Sequence, residues 1–319
     1  MRGVILDGDS FDRGDLDTAL LDESLETWDK YRSTSADETL DRIAGADVIV
    51  TNKVVIDAKA LSSASLKLIV VAATGTNNID LQEAARRGIW VCNVRDYASG
   101  AVSQHVFSLL LSLMTHLSEY ADAVREGRWQ QSKVFCLLDF PIHELEGLTL
   151  GIIGYGSLGQ RVAKIARGFD MQVVISARPG VKDIPKERVS LDELLAQSDV
   201  ISIHCPLTEA TRDLIDRAAF KKMKSSAILI NTARGGIVNE AALAEALKAG
   251  EIAGAGIDVL TQEPPAADHP LLARDIPNLI VSPHNAWGSI ESRQRLADEI
   301  GRLINDFRSG APRNRCLPQ

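Results

Sequence analysis

The sequence predicts an α/β protein made of two domains, each a parallel sheet covered by helices as in Rossmann-like and flavodoxin-like folds. Short runs rich in Val and Ile alternate with segments of helical period along the whole chain. Many of these runs are apolar at successive positions, as central strands are when helices cover both faces of a parallel sheet. The length of 319 residues exceeds what one hydrophobic core usually organises, which indicates two domains.

The predicted strands form two series. The first series lies at 3–7, 46–50, 66–73 and 89–94. The second begins with TLGIIGYG at 149–156 and continues at 172–177, 200–204, 227–233, 253–259 and 279–284.

Helical segments connect and follow these strands. One long helix is expected from about 101 to 125, between the two series, and another from about 289 to 307. The simplest arrangement is a substrate domain at 1–99 and 289–319, interrupted by a dinucleotide-binding domain at 100–288.

Two further helices carry recognisable end signals. Ser190 with Glu193 predicts a capping box, and Asn239 is expected to cap a helix that closes on Gly250.

Composition excludes several classes of protein. Apolar residues make up 45% and charged residues 24% of the chain, which is ordinary for a globular protein. The net charge is −8 and no Lys/Arg cluster is present, so nucleic acid is not an expected partner. Neither an export signal nor a membrane span is apparent, and a cytoplasmic location is expected. The four cysteines lack metal-type spacing, which predicts reduced thiols and no metal site: Cys92, Cys136, Cys205 and Cys316.

A dinucleotide site is predicted at the start of the second series. The segment 151–159 contains GxGxxG at a strand-to-helix turn. In such a turn the first glycine allows the tight bend, the second admits a pyrophosphate, and the third lets helix and strand pack closely. The helix N-terminus supplies free N–H groups for the phosphates. The expected cofactor-binding residues at this turn are Gly154, Gly156, Ser157, Leu158 and Gly159.

The position that selects between NAD and NADP departs from the NAD pattern. An NAD site usually ends its second strand with an acid that accepts hydrogen bonds from the ribose. Here the strand ends in Ser176, Ala177 and Arg178. A guanidinium suits a 2′-phosphate, so we expect NADP to be favoured over NAD. The alternative is that Arg178 is a solvated loop residue and NAD binds with one contact missing.

Three residues that follow predicted strands form a candidate catalytic set. Reducing a 2-oxo acid requires a cation for the carboxylate, a proton donor for the developing alkoxide, and a group that supports the donor. Arg234, His284 and Glu263 each follow a strand of the second series, where ligands of open α/β sheets bind. A carboxylate beside an imidazole favours the protonated ring. The other histidines are expected to be helix or loop residues (His105, His116, His143) or surface (His269).

Five stretches together resemble the D-isomer-specific 2-hydroxyacid dehydrogenases, over essentially the whole chain: GIIGYGSLGQ, HCPLTEATRDLI, INTARGGIVNEAAL, AGAGIDVLTQEPP and SPHNAW. The resemblance implies that Arg234 and His284 are catalytic, with Glu263 supporting His284 as the acid/base. It implies that Asp258 holds the nicotinamide carboxamide. Further cofactor contacts are implied at His204, Cys205, Pro206, Thr211, Thr232, Ala233, Arg234 and His284.

Within this family, the segments at 51–57, 72–80 and 135–147 resemble the glycerate dehydrogenase and hydroxypyruvate (glyoxylate) reductase branch. The branch implies a small 2-oxo acid such as hydroxypyruvate or glyoxylate, and a D-2-hydroxy acid product. It also implies these substrate contacts besides Arg234 and His284: Asn52, Lys53, Thr74 and Gly75. A Thr-Gly turn after a buried strand suits an anion, whereas Lys53 could equally be a solvated loop charge.

The family also implies a homodimer. The apolar segment 119–147, with Trp129, Phe135 and Phe140, is the candidate interface, and an ordinary packed loop is the alternative. VSQH at 102–105 and Asn285 differ from the commoner family pattern. Two other functions stay open on the sequence, a formate- or phosphite-type dehydrogenase of the same superfamily and a non-enzymatic nucleotide-sensing module.

Overall fold

The computed structural model describes residues 1–181 and 183–318, and the chain forms two compact units. Unit 1 comprises Met1–Ala98 and Trp287–Gln319, and unit 2 comprises Ser99–Ala286. Unit 2 is therefore an insertion between two segments of unit 1.

Unit 1 is built on a sheet whose described strands are all parallel and lie in the order β2-β1-β3-β4-β5. The strands are β1 (Arg2–Ile5), β2 (Thr27–Lys30), β3 (Val48–Thr51), β4 (Leu68–Val71) and β5 (Trp90–Asn93). The helices are α1 (Ala19–Asp22), α2 (Thr39–Ile43), α3 (Ala58–Ser63), α4 (Leu81–Arg86) and the C-terminal helix (Ile290–Arg308). A 3₁₀ turn occupies Gly8–Ser10.

Both faces of this sheet are buried. Leu68 and Val70 of β4 belong to a core that includes Leu296 and Ile300 of the C-terminal helix. Their neighbours in β4 face the opposite core, which contains residues of α2, α3 and α4. Because alternate side chains of a strand point to opposite faces, covering both faces requires the continuous apolar run that the sequence shows.

Unit 2 is built on a second parallel sheet, in the order β11-β10-β9-β8-β6-β7 over its described strands. The strands are β6 (Thr149–Ile153), β7 (Gln172–Ile175), β8 (Val200–Ile203), β9 (Ile228–Asn231), β10 (Gly254–Ile257) and β11 (Leu279–Val281). The helices are α5 (Ser99–Thr115), α6 (Leu117–Arg125), α7 (Ser157–Gly168), α8 (Leu191–Gln197), α9 (Arg217–Phe220) and α10 (Glu240–Ala249). Short 3₁₀ turns lie at Glu209–Thr211 and Pro270–Leu272.

The two sheets share one topology. In each, the first strand lies between the second and the third, so the strand order reverses between the first and third strands. In open α/β sheets, ligands bind outside the carboxyl ends of the strands at such a reversal. The observed architecture confirms the predicted fold class.

Two elements differ from the sequence prediction. The single helix expected at 101–125 is two helices, because His116 adopts a left-handed conformation with φ of 50° between α5 and α6. Strand β2 was not predicted. It is an edge strand with the polar sequence TWDK and no fully buried residue, so it lacks the apolar run by which the other strands were recognised.

Local end signals were predicted more accurately. Ser190 and Glu193 form the capping box at the start of α8. Asn239 accepts a hydrogen bond from the backbone N–H of Ala242, and α10 ends at Gly250 with φ of 68°. The four cysteines are unpaired. In the described part of the chain, no helix is both long and apolar enough to cross a membrane.

Candidate active site

The glycine turn connects β6 to α7 in unit 2. Gly154 has φ of 97°, a conformation that favours glycine. A Cβ at Gly159 would collide with the carbonyl oxygen of Gly154, so helix and strand approach closely there. A Cβ at Gly156 would meet no atom within 4 Å among the described residues, which leaves this side of the turn open. Ser157 and Leu158 form the first residues of α7, and its N-cap residue, Gly156, has no side chain. This arrangement suits a pyrophosphate.

The loop after β8 packs against the glycine turn. His204 donates its backbone N–H to the Ile153 carbonyl at 2.7 Å, and a Cβ at Gly154 would collide with the backbone of His204 and Cys205. Burial lowers the pKa of the His204 imidazole to about 4, so this ring is neutral at physiological pH. Burial raises the pKa of the Cys205 thiol to about 11, so this cysteine stays protonated.

Two buried polar atoms at the carboxyl ends of β8 and β9 have no hydrogen-bond partner among the described residues. They are Nδ1 of His204 and Oγ1 of Thr232. Buried polar atoms in native proteins are almost always satisfied, so a polar ligand at this edge would account for both. The Thr211 hydroxyl, by contrast, donates to the Pro206 carbonyl at 2.8 Å and accepts from the Thr208 N–H. Its hydroxyl therefore stabilises the loop that contains Pro206. Ala233, next to Thr232, is buried.

The end of β7 lines a cavity of about 160 Å³ together with Leu191 and Leu214. Ser176 is buried and Ala177 is half-buried, while Arg178 is exposed at the cavity wall. The apolar lining suits an adenine ring. The Arg178 guanidinium has no carboxylate partner in the described part of the chain.

A second cation beside Ser176 was not predicted. Arg188 donates from Nη1 to the Ser176 carbonyl at 3.2 Å. The adjacent Val189 pairs with Ser176 in a parallel bridge, and the Ala177 N–H donates to the Val189 carbonyl at 2.7 Å. A single Arg before a capping box has no distinctive sequence pattern. Only the pairing of 188–190 with the end of β7 brings it to this site.

His284 and Glu263 are in direct contact. The imidazole Nδ1 lies 2.6 Å from Oε2 of Glu263, whose Oε1 accepts the Leu260 N–H at 2.9 Å. Because a carboxylate only accepts hydrogen bonds, the hydrogen between the two side chains is on Nδ1. The ring atom Nε2 is then the one that can exchange a proton with a ligand. The two side chains are 26% and 31% exposed, respectively, so a ligand can approach them.

Arg234 lies on the neighbouring loop after β9. Its Nη1 donates to the Ala233 carbonyl at 2.7 Å, and its own carbonyl accepts from the Asn231 side chain at 3.0 Å. The following residue, Gly235, contacts the backbone of Leu260 so closely that a Cβ there would collide with it. The loops that carry Arg234 and Glu263 are therefore packed together.

Asp258 is buried beneath the His284 loop. Its Oδ1 accepts from Ser282 Oγ at 2.6 Å and from the Asn285 N–H at 3.0 Å, while Oδ2 accepts from the Ala286 N–H at 3.0 Å. The Asp258 carbonyl also accepts the His284 N–H at 2.9 Å. Asp258 thus holds the backbone on both sides of His284, a role that the sequence did not predict.

The remaining predicted residues lie in unit 1, after β3 and β4. The backbone N–H groups of Asn52 and Lys53 donate to the buried Asp7 carboxylate at 2.7 to 3.1 Å. The Asn52 side chain is buried, whereas Lys53 is exposed. Thr74 donates its hydroxyl to the Val94 carbonyl at 2.9 Å, and the half-buried Gly75 follows it.

One histidine prediction was wrong. His269 was expected at the surface, but its side chain is only 9% exposed and is hydrogen-bonded to Glu240 at 2.9 Å. Its Nδ1 accepts the Leu271 N–H, so Nε2 carries the hydrogen that Glu240 accepts. A tertiary contact between residues far apart in sequence buries this ring, and no local pattern announces it.

The fold and the glycine turn define a dinucleotide-binding protein of the doubly wound α/β class. A family model described as D-isomer-specific 2-hydroxyacid dehydrogenase, NAD binding domain, matches residues 107–286. A glycerate dehydrogenase of Methylorubrum extorquens is 45% identical over 95% of this chain and 96% of its own. A hydroxypyruvate reductase of Blautia hydrogenotrophica is 37% identical over 98% of this chain and 99% of its own.

Solved structures share the whole fold. An acyclic imino acid reductase in complex with NADPH and D-Arg superposes with a TM-score of 0.86 at 28% identity, over 99% of this chain and 100% of that one. The chain belongs to the D-isomer-specific 2-hydroxyacid dehydrogenase family, and its cofactor is a nicotinamide dinucleotide.

Proposed function

We propose that this protein reduces a small 2-oxo acid, such as hydroxypyruvate or glyoxylate, to the D-2-hydroxy acid. The observation that carries the proposal is the 2.6 Å contact between His284 Nδ1 and Glu263 Oε2 at the end of the dinucleotide-binding sheet. The glycerate dehydrogenase and hydroxypyruvate reductase relatives support this substrate class.

In the proposed reaction, a reduced nicotinamide supplies the hydride that is added to the carbonyl carbon. His284 gives the proton on Nε2 to the carbonyl oxygen, so no alkoxide is released into the site. Glu263 accepts the Nδ1 hydrogen, which orients the ring and stabilises its positive charge. Arg234 pairs with the substrate carboxylate and polarises the carbonyl, because a guanidinium matches a carboxylate in a bidentate geometry.

We assign cofactor binding to 100–288 and substrate binding to 1–99 and 289–319. The match of the NAD-binding family model to 107–286 supports the first assignment. For the second, Thr74 and Gly75 would receive the substrate carboxylate on their backbone, and Asn52 and Lys53 would line the substrate site. Both pairs follow neighbouring strands of the unit 1 sheet.

We further propose that the cofactor is NADP rather than NAD. No acid ends β7, and two cations, Arg178 and Arg188, are close to this strand end in the structure. The Arg188 bond to Ser176 involves a neutral carbonyl, so its charge remains available to a 2′-phosphate.

A homodimer through 119–147 is the third part of the proposal. Phe135 and Leu138 are 89% and 77% exposed, and Trp129 is 52% exposed. Contiguous exposed apolar groups of this size commonly mark interfaces. Phe140 does not contribute to this surface as expected, because it packs against the rings of His116 and Tyr120. Light scattering after gel filtration should give twice the chain mass, and Phe135→Asp should lower it; a monomeric wild type would refute this part.

The direct test is oxidation of NADPH and NADH, in parallel, with hydroxypyruvate, glyoxylate and pyruvate as acceptors. Turnover with a small 2-oxo acid is expected, and His284→Ala should abolish it while cofactor fluorescence still reports binding. Turnover retained in that variant would refute the proposed proton transfer from His284. If no combination of cofactor and acceptor is turned over although the cofactor binds, formate and phosphite oxidation should be assayed next. If neither is oxidised, a nucleotide-sensing module would be favoured.

A further inference from the structure

His105 of α5 reaches the buried carboxylate beneath the His284 loop. Its Nε2 lies 2.8 Å from Ser282 Oγ and 3.5 Å from Oδ1 of Asp258. The His105 side chain is 22% exposed and the Asp258 side chain 1% exposed. These three side chains form a chain of contacts from α5 to the carboxyl ends of β10 and β11.

Counting hydrogens assigns the direction of each bond. Ser282 has one hydroxyl hydrogen, and the 2.6 Å contact with Asp258 uses it, because a carboxylate can only accept. The hydrogen in the contact between His105 and Ser282 must therefore come from His105 Nε2. His105 is a donor at this atom whether its ring is neutral or protonated.

Asp258 transmits this contact to the His284 loop. Its carboxylate accepts the N–H groups of Asn285 and Ala286, and its carbonyl accepts the N–H of His284. His284 has a positive φ of 50°, a conformation that costs a non-glycine residue free energy. The bonds to Asp258 hold the backbone in that conformation on both sides of the residue.

Among the described residues, His105 is also the basic group beside Asp258, with Nε2 3.5 Å from Oδ1. A buried carboxylate is expensive unless donors satisfy it. If the donor at position 105 is lost, Ser282 can turn its hydroxyl elsewhere, and Asp258 loses both a hydrogen bond and its nearest cation-forming group.

We propose that His105 is a positioning residue that holds the His284 loop through Ser282 and Asp258. This inference rests on the proposed role of His284, since the loop matters for catalysis only if that histidine transfers the proton. Its structural part, the restraint of the loop, does not depend on activity.

The experiment compares His105→Phe, which keeps an aromatic ring without a donor, with His105→Gln, whose amide nitrogen lies near the position of Nε2. Ser282→Ala interrupts the same chain one step further on. Gln104→Ala is the matched control, because Gln104 is exposed on the same helix as His105. Amide hydrogen exchange, read by mass spectrometry on peptides covering 282–287, reports the loop. Steady-state kinetics with a 2-oxo acid and fluorescence titration of the cofactor report function.

For His105→Phe and Ser282→Ala we expect faster exchange confined to 282–287 and kcat lowered by about 10-fold, since a small misplacement of a reacting group has an effect of at least this size. KM for the acid and cofactor affinity should stay within about twofold. His105→Gln should restore both exchange and kcat, and the control should match wild type.

Two results would overturn the inference. One is that the amides of residues 282–287 exchange at the wild-type rate in His105→Phe. The other is exchange that rises throughout unit 2 in the Phe and Gln variants alike, which would mean that His105 only fills space. If wild type reduces no 2-oxo acid, the proposed function fails, while the exchange measurement still decides whether His105 restrains the loop.

Discussion

The carboxylate of Glu263 offers a quantitative test of the proposed proton transfer, in which it supports His284. Its two oxygens accept two different donors, His284 Nδ1 at 2.6 Å and the Leu260 N–H at 2.9 Å. In Glu263→Gln only one oxygen remains, and the new NH₂ group faces a donor whichever way the amide turns. The variant therefore loses one hydrogen bond to a charged group while keeping nearly the same shape.

A hydrogen bond to a charged group contributes roughly 1.5 to 3 kcal/mol. Because the Glu263 side chain is 31% exposed, water replaces part of the lost interaction, and the lower end, about 1.5 to 2 kcal/mol, applies. At 1.36 kcal/mol per factor of ten, kcat for reduction should fall by about 10- to 30-fold.

The assay is steady-state reduction of hydroxypyruvate or glyoxylate, with cofactor affinity measured separately by fluorescence. Glu245→Gln is a matched control, since Glu245 is an exposed carboxylate in the same unit. A Glu263→Gln variant with unchanged kcat would refute the support that we assign to this carboxylate.

Three further predictions concern unit 2. Replacing Arg178 and Arg188 by Ser should weaken NADPH binding by about 10-fold, the loss of a charge-assisted bond, and leave NADH binding unchanged in fluorescence titrations; equal loss of both cofactors would refute the 2′-phosphate assignment. Gly159→Ala should lower the melting temperature and abolish cofactor binding, because the new Cβ would collide with the Gly154 carbonyl; normal binding would contradict the close approach. Burial lowers the pKa of His204 from 6.5 to about 4. As pH falls, this imidazole is therefore protonated in the unfolded chain before it is protonated in the folded one. Stability should therefore fall as pH drops from about 6.5 to about 4, by on the order of 3 kcal/mol, and urea unfolding should show this loss in wild type but not in His204→Gln.

Structural features could be predicted from the sequence where the residues that cause them are close together in the chain. The glycine turn was predictable because its motif lies within 154–159. Gly154 has a positive φ and Gly159 approaches the Gly154 carbonyl, whereas the packing of Gly154 against His204 and Cys205 is a long-range contact that the motif does not show. The buried strands were predictable because helices on both faces demand apolar residues at every position. The edge strand Thr27–Lys30 lacked that demand and was missed.

Candidate site residues were found where they follow a strand, and missed where they do not. Arg234, Glu263 and His284 come after β9, β10 and β11, and this position, their chemistry and the family resemblance together made them candidates. Arg188 precedes a helix, and His105 lies inside one, so neither occupies a position that sequence reasoning associates with ligands. His269 was placed at the surface because its burial against Glu240 depends on a neighbour 29 residues away.

The sequence by itself therefore determined the α/β class, the insertion of one parallel-sheet unit into another, and the identity of the groups at the strand ends. These follow from periodicity and steric rules that act over a few residues. Only the tertiary structure decided which groups touch. His284 meets Glu263 across 21 residues and Ser282 meets His105 across 177, because parallel strands joined by crossover helices bring their carboxyl ends to one edge. Contacts made across that edge depend on strand order and register, which no short stretch of sequence specifies.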